Sequence, residues 1–175
     1  MRLETRAMHW LLYSRKCHYA VRERSPRGHN GEPDALGITK SRKLIEVEIK
    51  RSMADFRQNA DKYHIRTRSF FLDKFPYEYW FLVPAVMVSK VKPKLPEYAG
   101  LLSDAGATAQ FPVTVEVQAP RNQDSKRLTI KECVTLARCM ANHLMALELG
   151  RDRINETAAH SDGYRANLEA ESYQI

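Results

Sequence analysis

An alternation of side-chain character at residues 44–50 constrains the fold of this chain more than any other segment. Apolar and charged residues follow one another with the period of two that places successive side chains on opposite faces of a β-strand. The apolar positions are Ile45, Val47 and Ile49, and the charged positions are Glu46, Glu48 and Lys50. Ser52 then begins a predicted helix, through a capping box completed by Asp55. The segment therefore predicts a strand followed directly by a helix.

The residues on either side of this segment predict a helix and further strands. An apolar stripe at helical spacing marks residues 4–13, and the aromatic run at 79–83 is apolar enough for a fully covered strand. The remaining predicted pieces are strands at 17–24 and 35–39, a tight turn at 40–42, an extended linker at 91–96 and a hairpin that turns at 104–106. Strands that alternate with helices in this way predict an α/β (α+β) domain with a central sheet.

A second capping box, formed by Thr129 and Glu132, predicts the start of a long C-terminal helix that ends near Gly150. Its apolar residues are expected to pack onto the sheet; they are Ile130, Cys133, Val134, Ala137, Met140, Ala141, Leu144 and Met145. A chain of 175 residues suffices for one domain with a proper core. We therefore expect a single domain over residues 1–150 and a polar, loosely ordered tail over residues 151–175.

Composition favours a soluble cytoplasmic protein. Hydrophobic residues make up 43% of the chain and charged residues 28%, as in globular domains. No run reaches the roughly 18 apolar residues of a membrane span, and the N-terminal residues lack the apolar core of a secretion signal. The three cysteines, Cys17, Cys133 and Cys139, make no paired framework, which suits a reducing compartment. No membrane partner is expected.

Positive charge is concentrated in the first part of the chain. Residues 1–94 carry 20 Lys and Arg against 10 Asp and Glu, whereas residues 95–175 carry 8 against 11. A basic region that also contains a small set of carboxylates predicts a polyanionic partner such as DNA, duplex or branched. An ordinary basic surface without a nucleic-acid partner is the alternative interpretation.

Asp34 lies one predicted hairpin before Glu48 and Lys50, and pairing of the two strands would bring Asp34 beside Glu48. Two convergent carboxylates are hard oxygen ligands that suit Mg²⁺ or Mn²⁺, and the backbone carbonyl of Ile49 would complete the set. Lys50 could then orient an attacking water or stabilise the negative charge that develops on a phosphate. The alternative is an ordinary half-buried strand whose charged face is solvated.

The spacing Pro33-Asp34, thirteen residues, Glu48-x-Lys50 resembles the signature of the PD-(D/E)xK nuclease superfamily. The run EVEIKRSMADFRQNADKYH (46–64) looks most like small bacterial and phage DNA-repair nuclease-like proteins. One branch of the superfamily carries Gln-x-x-x-Tyr on the next helix, a pattern that Gln58 and Tyr63 do not meet. The resemblance covers roughly residues 4–84. It implies a restriction-endonuclease-like mixed sheet flanked by helices and a metal-dependent hydrolysis of DNA.

The resemblance also implies a further acid from an earlier helix or strand. Glu23, on the predicted first strand, is the preferred candidate; Glu4 is the alternative, although the helix dipole already explains an acid at its position. Glu46 shares the face of Glu48, either as a further acid or as a salt-bridge partner. The expected catalytic residues are Asp34, Glu48, Lys50 and Glu23, and the residues expected to contact DNA are Arg51, Arg57, Gln58, Lys62, His64 and Arg66.

Two hypotheses of different class follow. The leading one is a Mg²⁺- or Mn²⁺-dependent deoxyribonuclease that uses these residues. The alternative is a catalytically inactive nuclease-fold module that binds nucleic acid or a protein partner. A symmetric homodimer is compatible with an enzyme that cuts two strands.

Overall fold

The computed structural model of this protein describes residues 2–22, 33–58, 75–104, 106, 113–138, 140–141 and 145. The chain divides into two compact units, Met1–Leu136 and Ala137–Ile175. In the second unit the described residues are all helical. The expected domain end at residue 150 and the expected tail at 151–175 stay predictions, because these residues lie outside the described ones.

Within the described residues of the first unit, six strands form one sheet in the order of their sequence. They are β1 (Tyr19–Arg22), β2 (Ala35–Ile38), β3 (Leu44–Ile49), β4 (Glu78–Pro84), β5 (Ala99–Asp104) and β6 (Val113–Val117). Neighbouring strands are antiparallel from β1 to β3, parallel from β3 to β5, and antiparallel again between β5 and β6. The predicted α+β class with a mixed central sheet is thereby confirmed.

Helices connect and cover these strands. They are α1 (Leu3–His9), which continues as a π-helical turn (Trp10–Ser14), α2 (53–58), α3 (Val88–Val91) and α4 (130–138). Short 3-10 turns flank α3, so the extended linker predicted at 91–96 is wrong. The reason is that Met87 and Val91, four residues apart, are both buried in the core, which outweighs the local Lys/Pro alternation. Among the described helices, none combines the length and the apolar character that a membrane span requires.

The two faces of the sheet carry separate apolar clusters. On one face, the apolar side chains of β3 lie in a cluster with Trp10 and Leu11 from the first helical segment. On the other face, Phe56 of α2 packs against Phe81 of β4, with ring centroids 5.0 Å apart. Register pairs Glu48 with Phe81, so the charged positions of β3 point toward the covered second face. Both faces of β3 are therefore covered.

The capping box that begins α4 is confirmed. The N–H of Thr129 donates to the Glu132 carboxylate at 2.7 Å, and the N–H of Glu132 donates to Thr129 Oγ1 at 3.2 Å. The expected packing of Ile130 and Val134 is wrong, because their side chains are exposed while Leu136 is buried. A contact just before α4 anchors the start of this helix. The buried Leu128 donates its N–H to the Arg42 carbonyl at 2.8 Å.

Candidate functional site

The carboxyl ends of β3, β4 and β5 lie at one edge of the sheet, because the three strands are parallel. β2 runs in the opposite direction, so its first residue starts at this same edge. Asp34 directly precedes β2, while Glu48 and Lys50 stand at the end of β3. Open sheets bind ligands outside the carboxyl ends of their parallel strands. The topology thus brings the three predicted residues to the edge where such sheets bind ligands.

Asp34 is held against β3 by its carboxylate. The pairing of Ala35 with Val47 places Asp34 beside Glu48, as the sequence predicts. Its Oδ2 accepts a 2.7 Å hydrogen bond from the backbone N–H of Ile49. Burial raises the pKa of the Asp34 carboxyl above its usual value, and the nearby carboxylates Glu4 and Asp55 add to the rise. The Ile49 hydrogen bond and the Lys50 ammonium oppose that rise in pKa without cancelling it.

Lys50 is almost inaccessible to solvent, with 4% of its side chain exposed. Its Nζ lies 3.0 Å from Glu48 Oε2 and 3.7 Å from Asp55 Oδ1, and Glu48 is itself buried. The alternative of a solvated charged face on β3 is therefore excluded for Glu48 and Lys50. Charges are buried in this way only where opposite charges compensate them.

Asp55 belongs to the site as well as to the cap of α2. Its N–H donates to Ser52 Oγ at 3.1 Å, which confirms that Ser52 caps the predicted helix. Its Oδ2 accepts from the N–H of Arg51 at 3.3 Å, while its Oδ1 faces Lys50. The sequence indicated only the capping role, since the contact with Lys50 depends on how α2 leaves β3.

Glu4, in the first turn of α1, is an acidic neighbour of Asp34. It forms an ion pair with Arg51 through Oε1, while its Oε2 is buried and has no hydrogen-bond partner among the described residues. A signal for this was present in the sequence: Glu4 precedes the fully buried Ala7 and Leu11 by three and seven residues, so it shares their helical face. The preferred candidate, Glu23, lies outside the described residues, and that assignment stays a prediction.

We call this set of carboxylates (Glu4, Asp34, Glu48 and Asp55) the acidic edge. In the part of the chain that the structure describes, no group of three or more His, Cys, Asp or Glu side chains is arranged to hold a metal ion. A metal at this edge would thus rely on Asp34, Glu48 and the Ile49 carbonyl, with water or substrate oxygens completing the shell.

Half of the residues expected to contact DNA can be located. Arg51, Arg57 and Gln58 are exposed at and along α2, and Arg51 pairs with Glu4 of the acidic edge. The other three, Lys62, His64 and Arg66, lie outside the described residues. Their expected role stays a prediction.

Comparisons with known protein families and with curated proteins find no match for this chain. Among solved structures, the chain is similar to a protein of unknown function from Silicibacter pomeroyi, with a TM-score of 0.56 and 21% identity. The alignment covers 82% of this chain and 88% of that chain. A likeness at this level of identity concerns the fold alone, so function must be argued from the residues of the site.

Proposed function

We propose that this protein is a metal-dependent nuclease that hydrolyses DNA phosphodiester bonds at the acidic edge. The observation that carries the proposal is the convergence of Asp34, Glu48 and Lys50 at the carboxyl ends of parallel strands. These are the residues through which the chain resembles the PD-(D/E)xK superfamily, and β3, α2 and β4 follow the strand-helix-strand order of that resemblance. Duplex or branched DNA in the cytoplasm is the proposed setting.

The donor atoms at this edge fit Mg²⁺ or Mn²⁺, which bind carboxylate and carbonyl oxygens. Asp34 and Glu48 would hold the ion together with the Ile49 carbonyl. The buried Oε2 of Glu4 has no hydrogen-bond partner among the described residues, which supports this choice because a nearby cation would compensate it. When bound, such an ion supplies Lewis-acid stabilisation of the phosphate charge and a lower pKa for attacking water.

Lys50 is the proposed catalytic cation. Its ammonium has three N–H donors, and among the described residues only Glu48 lies within hydrogen-bond distance of Nζ. A remaining donor can therefore orient a water or a phosphate oxygen. Glu48 and Asp55 fix the position of Nζ before substrate arrives, so little reorganisation accompanies the reaction.

The test is a Mn²⁺- and Mg²⁺-dependent cleavage assay on single-stranded, duplex, flapped and four-way DNA. We expect Lys50→Ala and Glu48→Ala to lower the cleavage rate by about 100-fold or more, while DNA binding persists. Lys90→Ala is the matched control, because Lys90 is an exposed lysine on α3 with no part in the site. Circular dichroism of each variant separates loss of chemistry from loss of fold.

Cleavage by purified Lys50→Ala protein at the wild-type rate would overturn the assignment. Cleavage that survives Asp34→Asn, Glu48→Ala and Lys50→Ala alike would show that the activity does not arise at this site and would overturn the assignment as well.

A second candidate is a nuclease-fold module that binds nucleic acid without cutting it. It is favoured by the engagement of Lys50 with two carboxylates and by the lack of a three-ligand metal group in the described chain. Titration calorimetry discriminates the two: the nuclease should bind Mn²⁺ in a manner lost in Glu48→Ala, whereas the module should bind DNA with no metal dependence.

A further inference from the structure

The edge of the sheet opposite the acidic edge is basic. Here β1, β3 and β4 begin and β2 ends, about 17 Å from the acidic edge for a strand the length of β3. Six exposed cations from three separate segments lie there, and we call this set the basic edge: Lys16, Lys40, Arg42, Arg121, Lys126 and Arg127. Hydrogen bonds between these segments hold the set together.

The turn between β2 and β3 is the centre of the basic edge. Lys40 and Arg42 belong to this turn, which is closed by the N–H of Arg42 donating to the Thr39 carbonyl at 2.9 Å. The Arg42 carbonyl in turn accepts the N–H of Leu128, so Lys126 and Arg127 lie directly beside the turn. Two segments far apart in the sequence thus contribute cations to one surface.

The remaining cations flank this centre. Asn122 donates its N–H to the Tyr77 carbonyl at 2.8 Å, which places its neighbour Arg121 at the start of β4. On the other side, His18 donates its N–H to the Ile38 carbonyl at 2.8 Å, which places Lys16 at the start of β1. With strands about 4.8 Å apart, the basic edge spans roughly 14 Å from β1 to β4.

Few carboxylates offset these charges in the described chain. Glu78, at the start of β4, is fully buried and pairs with Arg15 as well as Arg121, while Asp124 is exposed nearby. Glu97 lies one strand further away, before β5. Among the described residues, the basic edge therefore has an excess of positive charge.

Backbone conformation supplies an independent observation. Among the described residues, Lys16 and Arg42 are the non-glycine residues with positive φ, at 53° and 61°. Lys16 follows a helix C-terminus and Arg42 is the last residue of a three-residue hairpin turn, two positions where glycine is normally favoured. Both positions hold exposed cations of the basic edge instead. Strained conformations of this kind cluster at functional sites, which favours a role for these two cations.

We propose that the basic edge binds the phosphate backbone of duplex DNA, as a contact surface separate from the acidic edge. Duplex DNA carries about one charge per 1.7 Å, hence about eight negative charges along 14 Å, and the six exposed cations of opposite sign lie along the same length. The choice of DNA as the polyanion rests on the proposed function, but the binding itself requires neither metal nor cleavage. The surface would give the nuclease a second contact with DNA, away from the scissile bond.

The test is the salt dependence of binding to a fluorescent duplex, measured by anisotropy in EDTA so that no cleavage occurs. We expect the Lys16→Gly/Arg42→Gly variant to lower the slope of log K against log salt by about 1.8, or 0.9 for each lost phosphate contact. Its melting temperature should not fall, because glycine adopts positive φ without strain. The variant therefore separates loss of charge from loss of fold.

Lys90→Gln/Lys92→Gln is the matched control, since it removes the same charge from exposed lysines next to Val91, which is buried on a face of the sheet. Its salt slope should equal that of the wild type. Arg42→Lys should also keep the wild-type slope, because the charge is retained. Equal slopes for the glycine variant and the control would overturn the proposal, as would wild-type binding without salt dependence. If the wild-type protein cleaves no DNA in the metal-dependent assay, while the salt slope falls in the glycine variant alone, the proposed function is overturned and this surface stands.

Discussion

Asp34 is an acid of the proposed site whose burial disfavours its charged form. Burial raises the pKa of its carboxyl, so the charged form is less stable in the folded protein than in the unfolded chain. The Ile49 N–H and the Lys50 ammonium recover part of that loss. In proteins generally, replacement of a destabilising site residue is a common route to higher stability at the cost of activity.

We expect Asp34→Asn to raise the melting temperature near neutral pH and to abolish cleavage. The folded protein binds the Asp34 proton more tightly than the unfolded chain does, so wild-type stability falls as pH rises from 3.8 through the raised pKa. The advantage of the variant should be largest above that window and shrink below it. Thermal melts across this range measure the effect, with the exposed Asp124→Asn as control. A lower melting temperature for Asp34→Asn at neutral pH would contradict it.

Cys17, which is remote from the proposed site, is a second buried group whose pKa is raised. Burial raises the pKa of its thiol to about 12, with Glu78 adding to the rise and Arg15 opposing it. Only the thiolate reacts with disulfide reagents. In a Cys133→Ser/Cys139→Ser background we expect no reaction with Ellman's reagent until denaturant is added. Rapid, stoichiometric labelling of the native protein would show that the thiol is accessible and ionised.

At the scale of elements, ion pairs tie the first helical segment to both edges of the sheet. Arg6 of α1 pairs with Asp104 at the end of β5, and Arg15, after the π-helical turn, pairs with the buried Glu78 at the start of β4. Trp80 Nε1 also donates to Glu78, at 3.1 Å. Local sequence patterns could not predict these pairs, because their partners are 98 and 63 residues apart in the chain.

We expect Arg15→Ala to lower the free energy of unfolding by about 3 kcal/mol, because it removes the main charged partner of a fully buried carboxylate. Arg121→Ala is the matched control. Its guanidinium contacts the same Glu78 oxygen at 3.5 Å, but 59% of its side chain is exposed, so a cost of about 1 kcal/mol or less is expected. Urea unfolding measures both. Equal costs would contradict the dominant role given to Arg15.

At the scale of the whole molecule, the acidic edge and the basic edge lie at opposite ends of the strands. The acidic edge is suited to a cation and the basic edge to phosphates, and the distance between them is the length of a strand. Surface fields of this kind orient a charged partner before contact.

We expect a chain that ends at Gly150 to keep the unfolding midpoint and the cleavage rate of the full chain. The first compact unit ends at Leu136, and residues 151–175 are polar and low in large apolar side chains. A chain that ends at Thr129 is the control, because it lacks the buried Leu136 and should lose about 2 kcal/mol or more. Thermal melts of the three chains measure their unfolding midpoints. A clearly lower midpoint for the chain ending at Gly150 would assign a structural role to the tail.

The sequence by itself determined several elements of the fold and the core of the proposed site. The alternation in β3, the capping boxes at Ser52 and Thr129, and the apolar run of β4 are carried by residues close together in the chain, where period and capping chemistry suffice. The pairing of Asp34 with Glu48 followed from one short hairpin, which fixes register. Each of these was predictable because the interacting residues are near neighbours in sequence.

Only the tertiary structure decided which side chains are buried and which distant residues meet. The packing of α2 against β4 buries Glu48 and Lys50, which a periodic pattern alone does not distinguish from a solvated face. The path of α1 brings Glu4 to Asp34, and the bond from Leu128 to Arg42 joins two distant segments into the basic edge. Burial and charge compensation depend on contacts between residues far apart in the chain, so they emerge only when the sheet is assembled.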